Sequence, residues 1–313
     1  MRQMNQPDQR RENVLAGMQQ VMGPLPGNER RVPPDVRIVA ESRFGQSIRQ
    51  KISFAVEAGD RVPAWLFLPT PAGKPVPAIL CLHQTTPAGK DEPAGLAGDA
   101  DLHYASELAE KGFVVLAPDY PNFGEYQVDP YRLGYLSATM KAIWNHMRAV
   151  DVLQSLPQVE PSQIGAIGHS LGGHNTIFLA AFDTRVRASV SSCGFNSFKK
   201  YKGGDLTGWS HAGYMPRIAK VYGCDPARMP FDFPEVTAAL APRGLFINAP
   251  LNDDNFEVSG VRECVETALP VFQFHKAEQW LVAEYPDTGH RFPADVRRRA
   301  YDFLGRCLRD RKL

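Results

Sequence analysis

Alternating strand-like and helix-like segments predict an α/β fold with a mostly parallel central sheet of about eight strands and helices on both faces. Residues 76–82 are almost wholly apolar, as is typical of a central strand that is covered on both faces. From there to the C-terminus, short apolar runs that fit strands alternate with longer periodic runs that fit helices. The later predicted strands lie at 113–117, 163–167, 187–191, 244–249 and 280–284, and the predicted helices at 102–111, 132–155, 171–182, 257–268 and 295–309.

The N-terminal part of the chain has a different pattern. Residues 11–21 fit a polar amphipathic helix that leads into a Gly/Pro-rich segment, so residues 1–45 are predicted to form a helical extension. Residues 48–56 alternate apolar and polar positions, and a turn connects them to a second strand at 62–68. This pair predicts an antiparallel hairpin at the start of the main domain, which covers residues 46–313.

Residues 194–242 interrupt the alternation of strands and helices. The segment is rich in glycine, proline and aromatic residues and has no clear periodicity, which is typical of a functional insertion. We expect a lid-like insertion over the carboxyl ends of the strands, where open α/β sheets bind ligands. The alternative is that its aromatic side chains pack the insertion onto the domain.

Composition and charge argue against several classes of protein. The chain has 313 residues, of which 43% are hydrophobic, and its net charge of +1 gives no broad attraction to nucleic acid. No run approaches the roughly 18 consecutive apolar residues of a transmembrane helix, so no membrane partner is expected. The polar first forty residues favour a cytoplasmic location, or a secreted one if a signal peptide has been removed. The sequence leaves the oligomeric state open.

The five cysteines are scattered and form no C-x-x-C pair. Such an odd, sparse set indicates reduced thiols rather than a disulfide framework. No Cys/His spacing fits a structural zinc site, and we expect neither a metal nor an organic cofactor.

The most informative motif is Gly-His-Ser-Leu-Gly at residues 168–172. It follows a predicted strand and precedes a predicted helix, and this context gives the G-x-S-x-G pattern its meaning. The flanking glycines permit a tight, strained turn that exposes the Ser170 hydroxyl at the end of a sheet. A serine hydroxyl becomes a good nucleophile only when a base takes its proton and a third group orients that base.

Candidates for the base and the third group follow the serine in one of the known chain orders, acid and then histidine. The predicted strand 244–249 ends in a turn that contains Asp253 and Asp254, both close to the sheet edge expected to carry Ser170. His290 lies in the loop between the last predicted strand and the last predicted helix. The residue pattern alone leaves both aspartates open as the acid.

On these motifs the chain resembles the α/β-hydrolases, within the dienelactone-hydrolase-like and acetyl-xylan-esterase-like groups, over roughly residues 45–310. Residues 168–173 match the nucleophile elbow, and residues 287–293, Asp-Thr-Gly-His-Arg-Phe-Pro, resemble the region around the catalytic histidine. The resemblance implies Ser170 as nucleophile and His290 as general base. It favours Asp253 as the acid, with Asp254 in reserve, because a short turn precedes the acid in related sequences.

Two backbone amides are expected to stabilise the oxyanion that forms during acyl transfer. One is the amide of Leu171, which follows the nucleophile at a helix N-terminus. The other comes from the loop after strand 76–82, where many relatives carry His-Gly and this chain has His-Gln. This departure leaves the second donor open between Gln84 and Thr85.

Several other side chains are candidates for lining the pocket. Thr85, Tyr120 and Glu125 follow predicted strands at the same sheet edge, although Tyr120 and Glu125 fit a role in ordering their loop equally well. Trp209 and Tyr214 in the insertion are candidates for an aromatic wall that stacks on a sugar or an aromatic acyl group.

The predicted function is a serine carboxylic-ester hydrolase with a Ser170–His290–Asp253 triad. Its expected partner is a small-molecule or carbohydrate ester, with an acetyl, feruloyl, aryl or alkyl group. The alternatives are a prolyl-oligopeptidase-like peptidase, a dienelactone-type hydrolase and, from another class, a non-catalytic binding protein on a hydrolase scaffold. The basic run at 199–202 would favour an acidic substrate if it overhung the pocket.

Overall fold

A single twisted sheet organises the computed structural model, which describes residues 7–71 and 73–310. Residues 1–6 of the predicted extension, and residues 72 and 311–313 of the predicted main domain, lie outside the described residues. Within the described ranges, nine strands pair in the order β1-β2-β3-β5-β4-β6-β7-β8-β9. The strands are β1 Arg37–Phe44, β2 Ser47–Glu57, β3 Asp60–Pro69, β4 Val76–Leu82, β5 Val114–Pro118, β6 Val159–His169, β7 Val186–Ser192, β8 Gly244–Asn248 and β9 Leu281–Glu284.

The sheet is antiparallel at its N-terminal side and parallel elsewhere. The strands β1, β2, β3 and β5 pair antiparallel in succession, whereas all pairs from β5 through β4 to β9 are parallel. Parallel strands place their carboxyl ends along one edge, so the loops after β4, β6, β8 and β9 meet there. This topology confirms the predicted α/β fold with N-terminal antiparallel strands.

Helices cover both faces of the sheet and bury two apolar clusters. The helices are α1 Pro7–Met22, α2 Tyr104–Glu110, α3 Ala138–Ser155, α4 Leu171–Phe182, α5 Arg217–Lys220, α6 Phe233–Ala238, α7 Val258–Phe274 and α8 Ala294–Gly305. α2 and α8 pack on one face, over the cluster that contains Ile79, Val115 and Phe246. α3 and α4 pack on the other face, over the cluster that contains Leu80 and Ala166. None of the described helices combines the length and hydropathy that a membrane crossing requires.

The sheet has one strand more than the sequence predicted. β1 lies inside the range 1–45 that was predicted as a helical extension, so the predicted boundary at residue 45 falls in the β1–β2 turn. β1 is an edge strand that pairs only with β2 and is exposed along almost its whole length. Because neither of its faces is well buried, its sequence lacks the alternation that marked β2 and β3.

The insertion, residues 194–242, is held to the domain by its aromatic side chains. Phe195, Phe198 and Phe233 are buried, and the ring of Phe233 stacks on Phe195 at 5.2 Å and on Phe178 of α4 at 5.5 Å. Asp232 caps α6 and also accepts a hydrogen bond from the amide of Phe198 at 2.9 Å. The aromatic composition of this segment therefore has a packing role.

Candidate active site

Ser170 occupies a strained turn between β6 and α4. Its backbone has φ 52° and ψ −114°, in the left-handed region that residues other than glycine rarely adopt. The Ser170 amide donates to the Ser192 carbonyl at 2.8 Å, which ties the turn to the neighbouring strand β7. The residue is half-buried at the carboxyl edge of the sheet. A strained serine at this place is the geometry of a nucleophile elbow.

The two glycines of the motif are required by close backbone contacts. A Cβ atom on Gly168 would lie 2.3 Å from the carbonyl carbon of Gly172. A Cβ atom on Gly172 would lie 1.9 Å from the carbonyl oxygen of Leu82, at the end of β4. A side chain at Gly168 would therefore push α4 away from β6, and a side chain at Gly172 would push it away from the end of β4.

Asp253 lies in the turn after β8 and is buried. Its Oδ1 accepts the amides of Asn255 at 2.8 Å and Phe256 at 3.0 Å, and both carboxylate oxygens lie 3.0 Å from His290 Nδ1. Burial raises the pKa of Asp253, but the hydrogen bond and the charge of His290, with the two amides, outweigh it, so the pKa lies below its usual value. The carboxylate is thus held in its charged form.

Asp254, the reserve candidate for the acid, is exposed. Its carbonyl oxygen accepts a hydrogen bond from the ammonium of Lys202, in the basic run of the insertion. The two adjacent aspartates thus differ in their surroundings, and it is Asp253 that contacts the histidine.

His290 lies in the loop between β9 and α8, with 24% of its side chain exposed. Because Nδ1 is paired with the Asp253 carboxylate, Nε2 is the nitrogen that can accept a proton. The imidazole ring lies 4.8 Å, centroid to centroid, from the ring of His169, the residue before the nucleophile. The loops after β6, β8 and β9 thus bring serine, aspartate and histidine to one edge of the sheet.

A buried polar network that the sequence did not reveal supports the histidine loop. His169 Nδ1 is 2.9 Å from Ser192 Oγ, and Asn248 Nδ2 donates to Ser192 Oγ at 2.8 Å and to the Arg291 carbonyl at 2.9 Å. Burial lowers the pKa of His169 to about 3, so this ring is neutral at pH 7. Ser192 and Asn248 are the last residues of β7 and β8, and that position is the signal that could have identified them.

Cys193 is a second residue that sequence reasoning missed. Its thiol donates to the Arg291 carbonyl at 3.4 Å, and Cys193, Asp253 and His290 each place one polar atom within 4.8 Å of the others. Burial and the Asp253 charge raise the pKa of Cys193, so the thiol is neutral. Cys193 therefore packs behind the acid and the histidine as a weak donor.

Three amides are free to stabilise an oxyanion. Among the described residues, the amides of Leu171, Gln84 and Thr85 have no hydrogen-bond acceptor, so the second donor stays open between Gln84 and Thr85. The loop that carries Gln84 is fixed by His83, whose Nε2 accepts the Tyr120 amide at 2.9 Å and whose Nδ1 donates to the Gln84 carbonyl at 2.6 Å. The Gln84 side chain donates to Glu92 at 3.0 Å and is engaged there. This hydrogen bond directs the Gln84 side chain toward Glu92, so we consider its backbone amide as the candidate donor.

Thr85, Tyr120 and Tyr214 form one side of the candidate site. The hydroxyls of Thr85 and Tyr214 lie 2.7 Å apart, at the contact between the insertion and the loop after β4 that carries Gln84 and Thr85, which we call the oxyanion loop. Tyr120 is buried and donates its hydroxyl to the Gly213 carbonyl at 2.9 Å. Thr85 is exposed and Tyr214 is half-buried, so these two remain accessible to a ligand.

Glu125 and Trp209 are not available to a ligand as the pocket prediction required. The Glu125 carboxylate is engaged by the ammonium groups of Lys51 and Lys90, each at 2.6 Å, and so orders its loop. Trp209 is only 2% exposed, because the rings of His174 and Phe233 pack against it at 4.8 and 5.3 Å. The prediction of Trp209 as an open aromatic wall is therefore wrong for this structure.

Comparisons with known proteins show which families and folds the chain is similar to. Residues 131–275 match the family model described as glucuronyl esterase, fungi, a segment that contains Ser170 and Asp253. The chain is 26% identical over 305 residues to YtaP of Bacillus subtilis (strain 168), whose name places it among the hydrolases; the match covers 92% of this chain and 96% of YtaP.

Solved structures extend the comparison. A glucuronoyl esterase from Solibacter usitatus superposes with a TM-score of 0.74 at 17% identity, over 95% of this chain and 91% of that one. Acetyl xylan esterase 1 from Thermoanaerobacterium sp. JW/SL YS485 gives a TM-score of 0.63 at 17% identity, over 95% and 92% of the two chains. Together the matches confirm the predicted resemblance and the predicted enzyme class, a carboxylic ester hydrolase, and the solved structures show that the chain has the α/β-hydrolase fold.

Proposed function

We propose that this hydrolase cleaves carbohydrate-linked esters with a triad of Ser170, His290 and Asp253. The observation that carries the proposal is the pairing of His290 Nδ1 with the Asp253 carboxylate at 3.0 Å, at the sheet edge of the strained serine turn. Three chemically matched groups from three separate loops are the arrangement that activates a serine hydroxyl.

The first half-reaction transfers the acyl group to the enzyme. The Ser170 oxygen attacks the ester carbonyl while His290 Nε2 takes the hydroxyl proton, and the Asp253 carboxylate stabilises the imidazolium that forms. Negative charge develops on the carbonyl oxygen, and the amides of Leu171 and Gln84 donate to it. His290 then gives its proton to the leaving alcohol, which departs and leaves an acyl-serine.

The second half-reaction releases the acid. A water molecule loses a proton to His290 and attacks the acyl-serine, and the same two amides stabilise the second oxyanion. Collapse returns the proton from His290 to the Ser170 oxygen. Every step in this sequence uses the three triad side chains, the two backbone amides and water.

The substrate class rests on the similar proteins and on the exposed site. The matching family and the structural neighbours are named as glucuronoyl and acetyl xylan esterases, and both names imply an ester carried by a sugar. The natural acyl group and glycan are therefore best sought among acetylated, feruloylated and uronate esters of carbohydrates.

The test is a set of initial rates on p-nitrophenyl acetate, methyl ferulate, acetylated xylan, a methyl glucuronate ester and aminoacyl-p-nitroanilides. Ser170→Ala should lower kcat by at least about 10³-fold on every ester that the wild type cleaves. Asp253→Asn should lose at least about 10²-fold, whereas the adjacent, exposed Asp254→Asn should stay within about threefold.

Three results would overturn the proposal. Cleavage of the anilides without ester cleavage would assign the chain to the peptidases. Retention of esterase activity in Ser170→Ala would show that Ser170 is not the nucleophile. Equal losses of kcat in Asp253→Asn and Asp254→Asn would contradict the assignment of Asp253 as the acid of the triad.

A further inference from the structure

A groove of about 620 Å³ runs between the loop 121–131 and residues 211–213 of the insertion. Its wall contains the rings of Phe123, Tyr131 and His211, together with the amide side chains of Asn122 and Gln127. None of these residues belongs to the proposed triad or to the oxyanion donors. The groove is therefore a separate candidate site.

The groove is preformed because hydrogen bonds join its two sides. Tyr131 donates its hydroxyl to the Ala212 carbonyl at 2.5 Å, and Tyr120 donates to the next carbonyl, that of Gly213, at 2.9 Å. These two tyrosines hold the insertion at a fixed distance from the loop. A ligand that enters the groove thus meets walls that are already in place.

The groove lies beside the proposed active site. Phe123 and Tyr214 pack on an apolar cluster that contains both Tyr120 and Leu171, whose amide is a proposed oxyanion donor. Tyr214 also contacts Thr85 of the oxyanion loop, at 2.7 Å between the hydroxyls. Phe123, which lines the groove, and Leu171, which follows the nucleophile, therefore pack on one cluster, so the groove and the proposed active site are neighbours.

The lining of the groove fits a neutral, hydroxylated ligand. Tyr131 is 39% exposed, and the exposed ring of His211, whose pKa burial lowers, is neutral at pH 7 and packs on Tyr214 at 4.1 Å. Aromatic faces of this kind present apolar surface with polar edges, which matches the alternating character of a sugar ring.

The polar groups of the groove favour hydroxyls over ions. The carboxylate of Asp129 is already engaged, because it accepts the amide of Tyr131 at 3.0 Å and lies 3.4 Å from the Arg132 guanidinium. Asn122 uses its carbonyl and Gln127 its amino group within the loop, so the Asn122 amino group and the Gln127 carbonyl have no partner among the residues that the structure describes. Such a pair can donate to and accept from hydroxyl groups without requiring a charge.

We propose that this groove binds an uncharged sugar unit of the glycan that carries the scissile ester, as a subsite beside the active centre. The inference rests on the proposed esterase function and deepens it, because it predicts a preference for esters attached to an oligosaccharide. Short aryl esters do not reach the groove.

The test compares kinetics on two substrates. Tyr131→Ala and His211→Ala should each raise KM for an acetylated xylo-oligosaccharide by about 3- to 10-fold and leave kcat/KM on p-nitrophenyl acetate within about twofold. Tyr131→Phe keeps the ring but removes the hydrogen bond to Ala212, so it should raise KM for the oligosaccharide by less than Tyr131→Ala does. Phe274→Ala removes an exposed ring that is 58% accessible at the end of α7 and is the matched control for loss of surface aromatic area.

Calorimetry separates the subsite from the chemistry. Unesterified xylotetraose is titrated into Ser170→Ala, with and without Tyr131→Ala, and the second variant should bind about 3- to 10-fold more weakly. A uronate-bearing oligosaccharide that binds more tightly than xylotetraose through Tyr131 would overturn the neutral assignment. Equal losses on both substrates, or binding unaffected by Tyr131→Ala, would overturn the subsite. Absence of ester turnover in the wild type would instead overturn the proposed function, while the titration would still report on the groove.

Discussion

The ammonium groups of two lysines, Lys90 and Lys141, are buried. Each lies in a cluster of carboxylates, and the two clusters connect different segments of the chain. The Lys141 ammonium lies 2.6 Å from both Glu57 and Asp60, at the turn between β2 and β3. The Lys90 ammonium lies 2.9 Å from Asp119 and also pairs with a partly exposed glutamate. Both ammonium groups are almost fully inaccessible, so burial alone does not distinguish them.

The two clusters differ in the residues that contact each lysine. The carboxylates around Lys141 are both largely buried and accept hydrogen bonds from tyrosine hydroxyls, which ties the hairpin to α3. Asp119 directly precedes Tyr120, whose amide fixes His83 and through it the carbonyl of Gln84. A buried charge pair can thus serve the fold alone, or it can fix the backbone of a functional loop. The role follows from where its partners lie in the chain.

Removal of the Lys141 charge should have the largest effect on stability. Lys141→Met leaves Glu57 and Asp60 as buried carboxylates without this cation, which should cost about 3–5 kcal/mol of unfolding free energy. Urea unfolding followed by circular dichroism measures the loss. Lys51→Met, at an exposed pair, is the control and should cost under about 1 kcal/mol. A loss below 1 kcal/mol for Lys141→Met would contradict this interpretation.

Lys90→Met should affect both stability and activity. The expected cost is smaller, about 2–3 kcal/mol, because Glu125 is 47% exposed and can be hydrated when the lysine is lost. Displacement of the loop that supports the proposed oxyanion donor should also lower kcat on p-nitrophenyl acetate about tenfold. Lys141→Met, assayed at a temperature where it is folded, should keep its kcat within about threefold. Equal kcat values for the two variants would remove the distinction between the clusters.

Asp232 extends the comparison to a half-buried carboxylate that has no lysine partner among the described residues. Its charged neighbours are Glu235 and Glu263, and burial raises its pKa to about 7 although it accepts hydrogen bonds from the amides of Phe198 and Phe233. The folded state therefore binds the proton more tightly than the unfolded chain, whose aspartates titrate near about 4. Stability should fall as the pH rises from about 4 to about 7.

The size of that fall can be measured directly. Between about pH 5 and pH 6.5, unfolding free energy should decrease by about 2 kcal/mol in the wild type relative to Asp232→Asn, which stays neutral and can still cap α6. Asp225→Asn, at another capping position, is the matched control and should follow the wild type. Parallel pH curves for the wild type and Asp232→Asn would refute the assignment.

The smallest effect is expected at Gln84. Gln84→Ala keeps the backbone amide that is proposed to donate to the oxyanion and removes only the hydrogen bond to Glu92. We expect kcat on p-nitrophenyl acetate to change by less than about threefold. A loss of about 10²-fold would instead mean that the side chain acts on the substrate.

The parts of the fold that the sequence predicted best are those with the strongest patterns. The strand at 76–82 and the helix at 171–182 have the predicted bounds, because both are buried apolar segments with sharp ends. The helix predicted from residue 132 begins only at 138, where Ser137 caps it by accepting the Met140 amide. Tyrosine and leucine residues in the turns before Ser137 are spaced as they would be in a helix, so local sequence alone does not distinguish these turns from helix.

Some residues of the candidate site could likewise be predicted from the sequence, whereas others could not. Chain order brought Ser170, the pair of aspartates and His290 into consideration, but it left the acid open. The difference between Asp253 and Asp254 lies in the direction of a turn, which is fixed by amides two and three residues further on. Cys193 and the groove depend on contacts between segments far apart in sequence, and no local pattern contains that information.

The backbone at Ser170 has a consequence for how this enzyme can evolve. A serine at φ 52° bears a conformational cost of about 1–3 kcal/mol that a glycine would not. Selection for a higher free energy of unfolding would therefore favour glycine at position 170, whereas selection for catalytic turnover keeps the serine. At position 170 the residue that gives the higher unfolding free energy, glycine, differs from the residue that the proposed catalysis requires, serine. The serine found there is therefore explained by catalysis and not by stability.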